Sequence, residues 1–218
     1  MKLPDFSYET PLWEKGHTII GIDEVGRGAF AGPVGVGGVI FEPQMSSASK
    51  KTLLDLGIND SKKLTAKKRK ELSKYIKELA LAFYVSLIPV GVINDVGIGK
   101  ATFMGMKEVA DSLVYNLQPK TYNLSPFLLI DAFVIPQYPV PQKGIVHGDS
   151  LSISIAAASI IAKVERDAYM EQLALDEPLY GFEKHKGYGT SYHRSMIASH
   201  GMGSQHRIDF CQNTLKAV

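Results

Sequence analysis

Cysteine is almost missing from this chain of 218 residues: Cys211 stands alone. One thiol makes no internal disulfide, and without a C-x-x-C pair no zinc ribbon can be built. That usage suits a reducing compartment. Long apolar runs are missing too, since none reaches the roughly 18 residues that a membrane helix needs. The opening MKLPDFSYETPLWEKG lacks the basic-then-apolar pattern of a secretory leader, so a soluble, cytoplasmic protein with no membrane partner is expected. Internal repeats, low-complexity tracts and flexible linkers are absent as well. What remains is 45% hydrophobic and 21% charged, enough for a sizeable core in one large domain or a domain with a small appendage.

The formal charge of +2 hides an asymmetry. Residues 61–80, SKKLTAKKRKELSKYIKELA, carry eight Lys/Arg against two Glu, a local +6 that leaves −4 for the rest. Such a stretch can be the footprint of a polyanion or simply a solvated helix face, and charge alone leaves both open.

Short runs rich in Val and Ile predict strands over 17–25, 34–42, 82–90, 126–133 and 143–149. Thr65 predicts the N-cap of a helix with Leu72, Tyr75, Ile76 and Leu79 on one face and lysines on the other. A further helix is expected within 91–117, interrupted in pattern by Gly97, Gly99 and Gly105. The segment after Asp149, SLSISIAAASIIAKVERDAYMEQLAL, predicts a long helix with a buried, apolar first half. Strands mixed with helices imply a layered α/β body over 1–175. Residues 176–218, rich in Gly, His, Lys and Tyr, are expected to add loops and short helices packed against it.

Carboxylates recur where apolar elements stop. Asp23 and Glu24 end the first strand, Asp131 ends the fourth, and Asp149 precedes the long helix. Singly, Asp131 reads as a turn former, and Asp149-Ser150 as a helix N-cap. Asp23 with Glu24 is harder to explain that way, because side chains alternate on a strand and both would need a polar outlet. Brought together, the four would form a strongly negative oxygen pocket suited to Mg²⁺ or Mn²⁺. Two such ions about 3.5–4 Å apart are the apparatus of in-line phosphoryl displacement. Asp167 is excluded as a fifth ligand: 18 residues along one continuous helix it would lie about 27 Å from Asp149, so a structural salt bridge is expected instead.

Between these acids and the second strand lies GRGAFA, which fits a G-x-G-x-x-A dinucleotide fingerprint. The context fails, because GPVGVGGVIF reads as a strand where that fingerprint needs a helix. The glycines do let backbone groups approach a ligand closely, and Arg27 adds a guanidinium suited to phosphate. A turn of this kind beside a metal site could sense a ribose 2′-hydroxyl.

Taken together, GIDEVGRGAFAGPV (21–34), NDSKKL (59–64), LLIDAF (128–133), HGDSLSISIAAASIIAKVERD (147–167) and FEKHKGYGTSYH (182–193) resemble the blocks of the type 2 ribonucleases H, the ribonuclease HII family. The blocks follow the family's order over most of the chain. The resemblance implies a ribonuclease H-like fold, a central mixed β-sheet flanked by helices, with a helical C-terminal extension that contributes to substrate binding. It implies an endonuclease that cuts the RNA strand of RNA–DNA hybrids and nicks ribonucleotide-containing duplex DNA 5′ of the ribonucleotide; a monomer is expected, though the sequence does not itself reveal oligomeric state. Cutting would leave 3′-hydroxyl and 5′-phosphate ends. By motif position Asp23, Glu24, Asp131 and Asp149 would bind two Mg²⁺ or Mn²⁺ ions, and Gly26, Arg27 and Gly28 would grip the junction ribonucleotide. Tyr188 would stack on the deoxyribose that follows, and Lys62 and Lys163 would contact phosphates. The sister ribonuclease HIII family fits less well, since it carries an extra N-terminal domain and usually lacks the turn arginine. The tail departs from the family pattern, reading GMGSQHRIDF with Met202 and Asp209, and no replication-clamp motif is legible in it. Two rivals stand against the nuclease. A non-catalytic nucleic-acid-binding module on the same fold would have lost a carboxylate, and a dinucleotide-dependent oxidoreductase would bind NADH.

Overall fold

A computed structural model describes residues 3–43, 45–117 and 125–215; the end of the C-terminal region, 216–218, lies outside them. Five strands form one sheet: β1 (His17–Val25), β2 (Val34–Ile40), β3 (Ala82–Ile88), β4 (Ser125–Asp131) and β5 (Gln142–Ile145). Their order is β3-β2-β1-β4-β5, with β1–β2 and β2–β3 antiparallel and β1–β4 and β4–β5 parallel. The mixed sheet expected from the resemblance is present.

Alternation along the strands builds two cores. Ile19, Val39 and Leu129 face one side, where they meet helices α2 (Ser47–Asp55), α3 (Ala66–Leu79) and α6 (Ile153–Asp176). Ile20, Ile22, Val36, Leu128 and Ile130 face the other, covered by α5 (Ile98–Leu117). A short α1 (Thr10–Trp13) precedes β1, α4 (Val90–Val96) precedes α5, and α7 (Phe182–His185), α8 (Ser191–His200) and α9 (Ile208–Leu215) follow α6. Among the described residues no helix is long and apolar enough to cross a membrane.

The first half of α6, Ile153–Ala162, is wholly buried, as its composition predicts. It lies close to the sheet because the strands beneath it carry glycine. A Cβ on Gly21 would stand 2.5 Å from the Ser154 carbonyl oxygen, and one on Gly37 would stand 2.5 Å from that of Ala158.

Three expectations need correction, and one helix was not expected. The helix of 91–117 is two helices, because Gly97 (φ +82°) ends α4 in a conformation disfavoured for other residues. The fifth strand stops at Ile145, and the chain turns through His147 (φ +58°) into a short 3-10 turn, Gly148–Ser150. The N-cap of α6 is Ser152, whose hydroxyl accepts from Ile155 N at 3.3 Å, so Asp149-Ser150 does not cap it. Helix α2 went unforeseen, since Leu53 is its one buried residue and leaves no apolar stripe to read.

Candidate active site at the carboxylate strand ends

Register brings the acids together. In the parallel pair β1–β4, Ile22 lies opposite Ile130, so Asp23 and Asp131 are neighbours one step further on and share the face that α6 covers. Asp23 is buried at 4% exposure, and its Oδ1 accepts from the Glu24 amide at 2.8 Å. The Asp131 Oδ1 accepts from Gly148 N at 2.7 Å, which ties the end of β4 to the turn carrying Asp149. The chain leaves β4 through Ala132 at φ +56°, an uncommon conformation for a residue with a Cβ. Asp149 is 6% exposed and faces the Asp60 carboxyl.

These acids repel one another in a desolvated place. Burial, then the charges of Glu24 and Asp131, hold the Asp23 carboxyl well above the usual range, with only a Ser159 hydrogen bond among the leading influences opposing. Burial and Asp131 raise Glu24, against the opposing pull of Arg27 and Lys62. Burial, Asp60 and Asp131 raise Asp149, again opposed by Lys62. Lys62 is exposed but faces this group. Its ammonium is stabilised against the cost of burial by Asp23, Asp149, Asp60 and Asp131, which together raise its pKa.

The donors suit a hard cation: they are all carboxylate oxygens, they are mutually destabilised without positive charge, and Glu24 Oε2 is buried with no hydrogen-bond partner. Among the described residues no three ligand-type side chains form a ready-made cage, so an ion would have to draw them inward. Asp167 stays outside, as expected, paired with Lys163 at 2.6 Å and Arg69 at 3.6 Å.

The glycine turn lies directly after Glu24. Gly26 takes φ +79°, and a Cβ there would overlap the Arg166 guanidinium. Gly28 is exposed, with nothing within 4 Å of where a Cβ would project. The Arg27 guanidinium lies 4.6 Å over the Phe133 ring, just beyond Asp131. Tyr188 belongs to the same region, since the preceding Gly187 carbonyl accepts from the amides of Phe30 at 2.8 Å and Ala31 at 3.2 Å. The half-buried Tyr188 ring has the Lys163 ammonium 5.5 Å and the Arg166 guanidinium 5.6 Å from its centroid. Lys163 is therefore engaged by Asp167 and by the Tyr188 face.

Three participants escaped the sequence reading. Asp60 sits inside the NDSKKL block, where the resemblance points only to Lys62. Arg166 and Arg207 are both fully buried. Arg166 was hidden in a helix, and Arg207 in the tail that departs from the family pattern.

The Ribonuclease HII family model matches residues 20–213. The chain is 42% identical to the ribonuclease HII of Halalkalibacterium halodurans over 205 residues, 94% of this chain and 72% of that one. It is 39% identical to that of Caldicellulosiruptor bescii over 211 residues, 96% and 95% of the two chains. Among solved structures, the ribonuclease HII of Archaeoglobus fulgidus, determined in complex with PCNA, superposes with a TM-score of 0.68. That pair is 27% identical and covers 90% of this chain and 96% of the other. The ribonuclease H2 of Pyrococcus horikoshii shares the fold, with a TM-score of 0.68 at 22% identity, covering 92% and 98%. With the family's blocks in order and the paired acids at the ends of adjacent parallel strands, this chain belongs to the ribonuclease HII family.

Proposed function

We propose that Asp23, Glu24, Asp131 and Asp149 form the cleavage centre of this chain and hold two divalent cations, Mg²⁺ or Mn²⁺, against the phosphate to be cut. As a ribonuclease HII the chain is an endoribonuclease acting on the RNA strand of RNA–DNA hybrids. One observation carries the assignment. Asp23 and Asp131 stand side by side through the β1–β4 register, Asp23 buried, and the Asp131 charge raises the cost of ionising Asp23, Glu24 and Asp149.

When bound, the ions supply Lewis-acid activation of water and charge stabilisation at the phosphate. The protein's part is to hold the carboxylates and to choose the scissile bond. Asp131 is fixed by the Gly148 amide, and Asp23 by the backbone of its own strand end. Hydrolysis breaks the bond between phosphorus and the 3′-oxygen of the upstream nucleotide. The phosphate stays on the ribonucleotide and the leaving oxygen gains a proton. No protein base is required, because solvent or a phosphate oxygen can take the proton from water.

Gly26, Arg27 and Gly28 read the ribose and its 2′-hydroxyl. The open face of Gly28 admits a ligand, and Arg27, leaning on Phe133, presents a guanidinium whose charge acts on Glu24. Tyr188 stacks on the following deoxyribose. Lys62 is free to turn to a phosphate once cations neutralise the acids it now faces, while Lys163 steadies the Tyr188 ring.

The test is cleavage of all-DNA, single-ribonucleotide and long-hybrid duplexes, with and without Mg²⁺. Asp131→Asn should lower the rate on both ribonucleotide substrates more than about a hundredfold, since a lost metal ligand removes several kcal/mol of charge stabilisation. Near-parental cleavage by that variant would refute the assignment.

A further inference from the structure

Arg166, near the middle of α6, and Arg207, just before α9, are both 0% exposed. Buried arginines ordinarily meet carboxylates, yet among the described residues neither forms an ion pair. Their donors go to backbone carbonyls instead. Arg166 donates through Nε to Pro33 at 2.8 Å, through Nη1 to Lys186 at 2.9 Å and through Nη2 to Ala31 at 3.1 Å. Arg207 donates through Nε to Gly32 at 3.0 Å, and through Nη1 to Gly26 at 2.8 Å and Arg27 at 2.9 Å.

The carbonyls so gripped belong to residues 26–33 and to Lys186, two positions before Tyr188. These are the two segments read above as recognising the ribonucleotide. Gly26 packs so tightly on Arg166 that no Cβ fits between them. The Gly187 carbonyl, bonded to the amides of Phe30 and Ala31, completes the connection. Desolvation is costly here: burial and the neighbouring Arg166 charge push the Arg207 guanidinium down to about 9, and its Nη2 is buried without a partner. A merely space-filling side chain would avoid that cost, whereas a planar fork that satisfies several divergent carbonyls cannot be replaced by an apolar group.

We propose that Arg166 and Arg207 are positioning residues for ribonucleotide recognition, two buried guanidinium forks that hold the Gly26-Arg27-Gly28 turn and the Tyr188 loop in one fixed arrangement. The proposal rests on the reading of that turn and of Tyr188 given above. Through Arg207 the C-terminal region acts on a turn 180 residues away.

A double-mutant cycle tests it, with kcat/KM measured on a single-ribonucleotide duplex. Arg207→Lys keeps the charge and loses the fork, and should cost about tenfold, the worth of one or two hydrogen bonds. In an Arg27→Ala background the same change should cost less than about threefold, because the group it positions is already gone. The second cycle pairs Arg166→Lys with Tyr188→Ala and should couple in the same way. Near-ultraviolet circular dichroism and a thermal melt check folding, and the Arg166 cycle decides where Arg207→Lys does not fold. Losses that simply multiply would overturn the clamp while leaving the site reading intact. An Arg27→Ala enzyme as active as the parent would sink the reading of the turn, and the clamp with it.

Discussion

Adding one methyl group at Gly21 should damage both the fold and the chemistry. Gly21 lies in the middle of β1, two residues before Asp23, and it faces α6 directly. Its new Cβ would stand 2.5 Å from both the Cβ and the carbonyl oxygen of Ser154, where ordinary contacts begin near 3.4 Å. Backbone cannot rotate away as a side-chain tip can, so α6 must retreat from the sheet by about 1 Å. Overpacking of this kind costs about 1–3 kcal/mol, occasionally more. For a chain of this size each kcal/mol lowers Tm by about 2–4 °C, which places the expected fall between about 2 and 12 °C. Helix α6 begins three residues after the turn carrying Asp149, and a displacement of about 1 Å at a reacting centre can cost about a hundredfold in rate. Gly99→Ala is the control. Near the start of α5 an added Cβ meets nothing within 4 Å, and φ is not positive. There the same substitution should stabilise by about 0.4–1 kcal/mol and leave cleavage unchanged. Thermal melts and hybrid cleavage of the two variants decide the matter. Gly21→Ala melting within a degree of the parent with full activity would refute the argument from close packing.

Tyr188→Ala should impair single-ribonucleotide substrates about tenfold more than long hybrids, because losing the ring's packing on the deoxyribose that follows should cost about 1.4 kcal/mol, at the low end of the range for aromatic stacking on nucleic acid. Equal losses on both substrates would count against a junction role. A second expectation concerns pH. His193 is buried, its Nδ1 lies 3.0 Å from the Tyr188 carbonyl, and its Nε2 lies 3.0 Å from His206 Nε2. Burial chiefly, with His185 and His206 adding, pushes its pKa down to about 4; His185 and His206 are lowered as well. A base depressed in the folded state contributes stability that is present above its unfolded value near 6.5 and lost as pH falls toward 4, in all about 3 kcal/mol for His193. Tm should therefore fall across that window more steeply for the parent than for His193→Gln, and parallel curves would disprove the linkage.

How much of this was legible follows from the range of each interaction. Strand β1 matched its sequence reading at both ends, because HTIIGIDEV carries its own alternation and β propensity. The Thr65 cap was equally local, a hydroxyl accepting from Lys68 N at 3.2 Å. The Asp149 turn was misread because Asp149, Ser150 and Ser152 are all competent caps, and what settles the choice is Glu9. Its carboxylate accepts from the Ser152 hydroxyl at 2.5 Å and the Ser154 amide at 3.0 Å, from a segment more than 140 residues away. Asp60 and Arg207 were missed for the same reason, since nothing local to either residue names its partner.

By itself, then, the sequence determined where the strands and the longer helices begin to form, but not α2, and that charged residues stand where apolar strands stop. Periodicity and short-range hydrogen bonding are written in neighbouring residues. The tertiary structure alone decided that β4 lies between β1 and β5, and that its pairing with β1 takes the register that sets Asp131 beside Asp23. It alone brought Arg207 beneath Gly26. Those placements arise from packing two cores against one sheet, and that is a property of the whole chain.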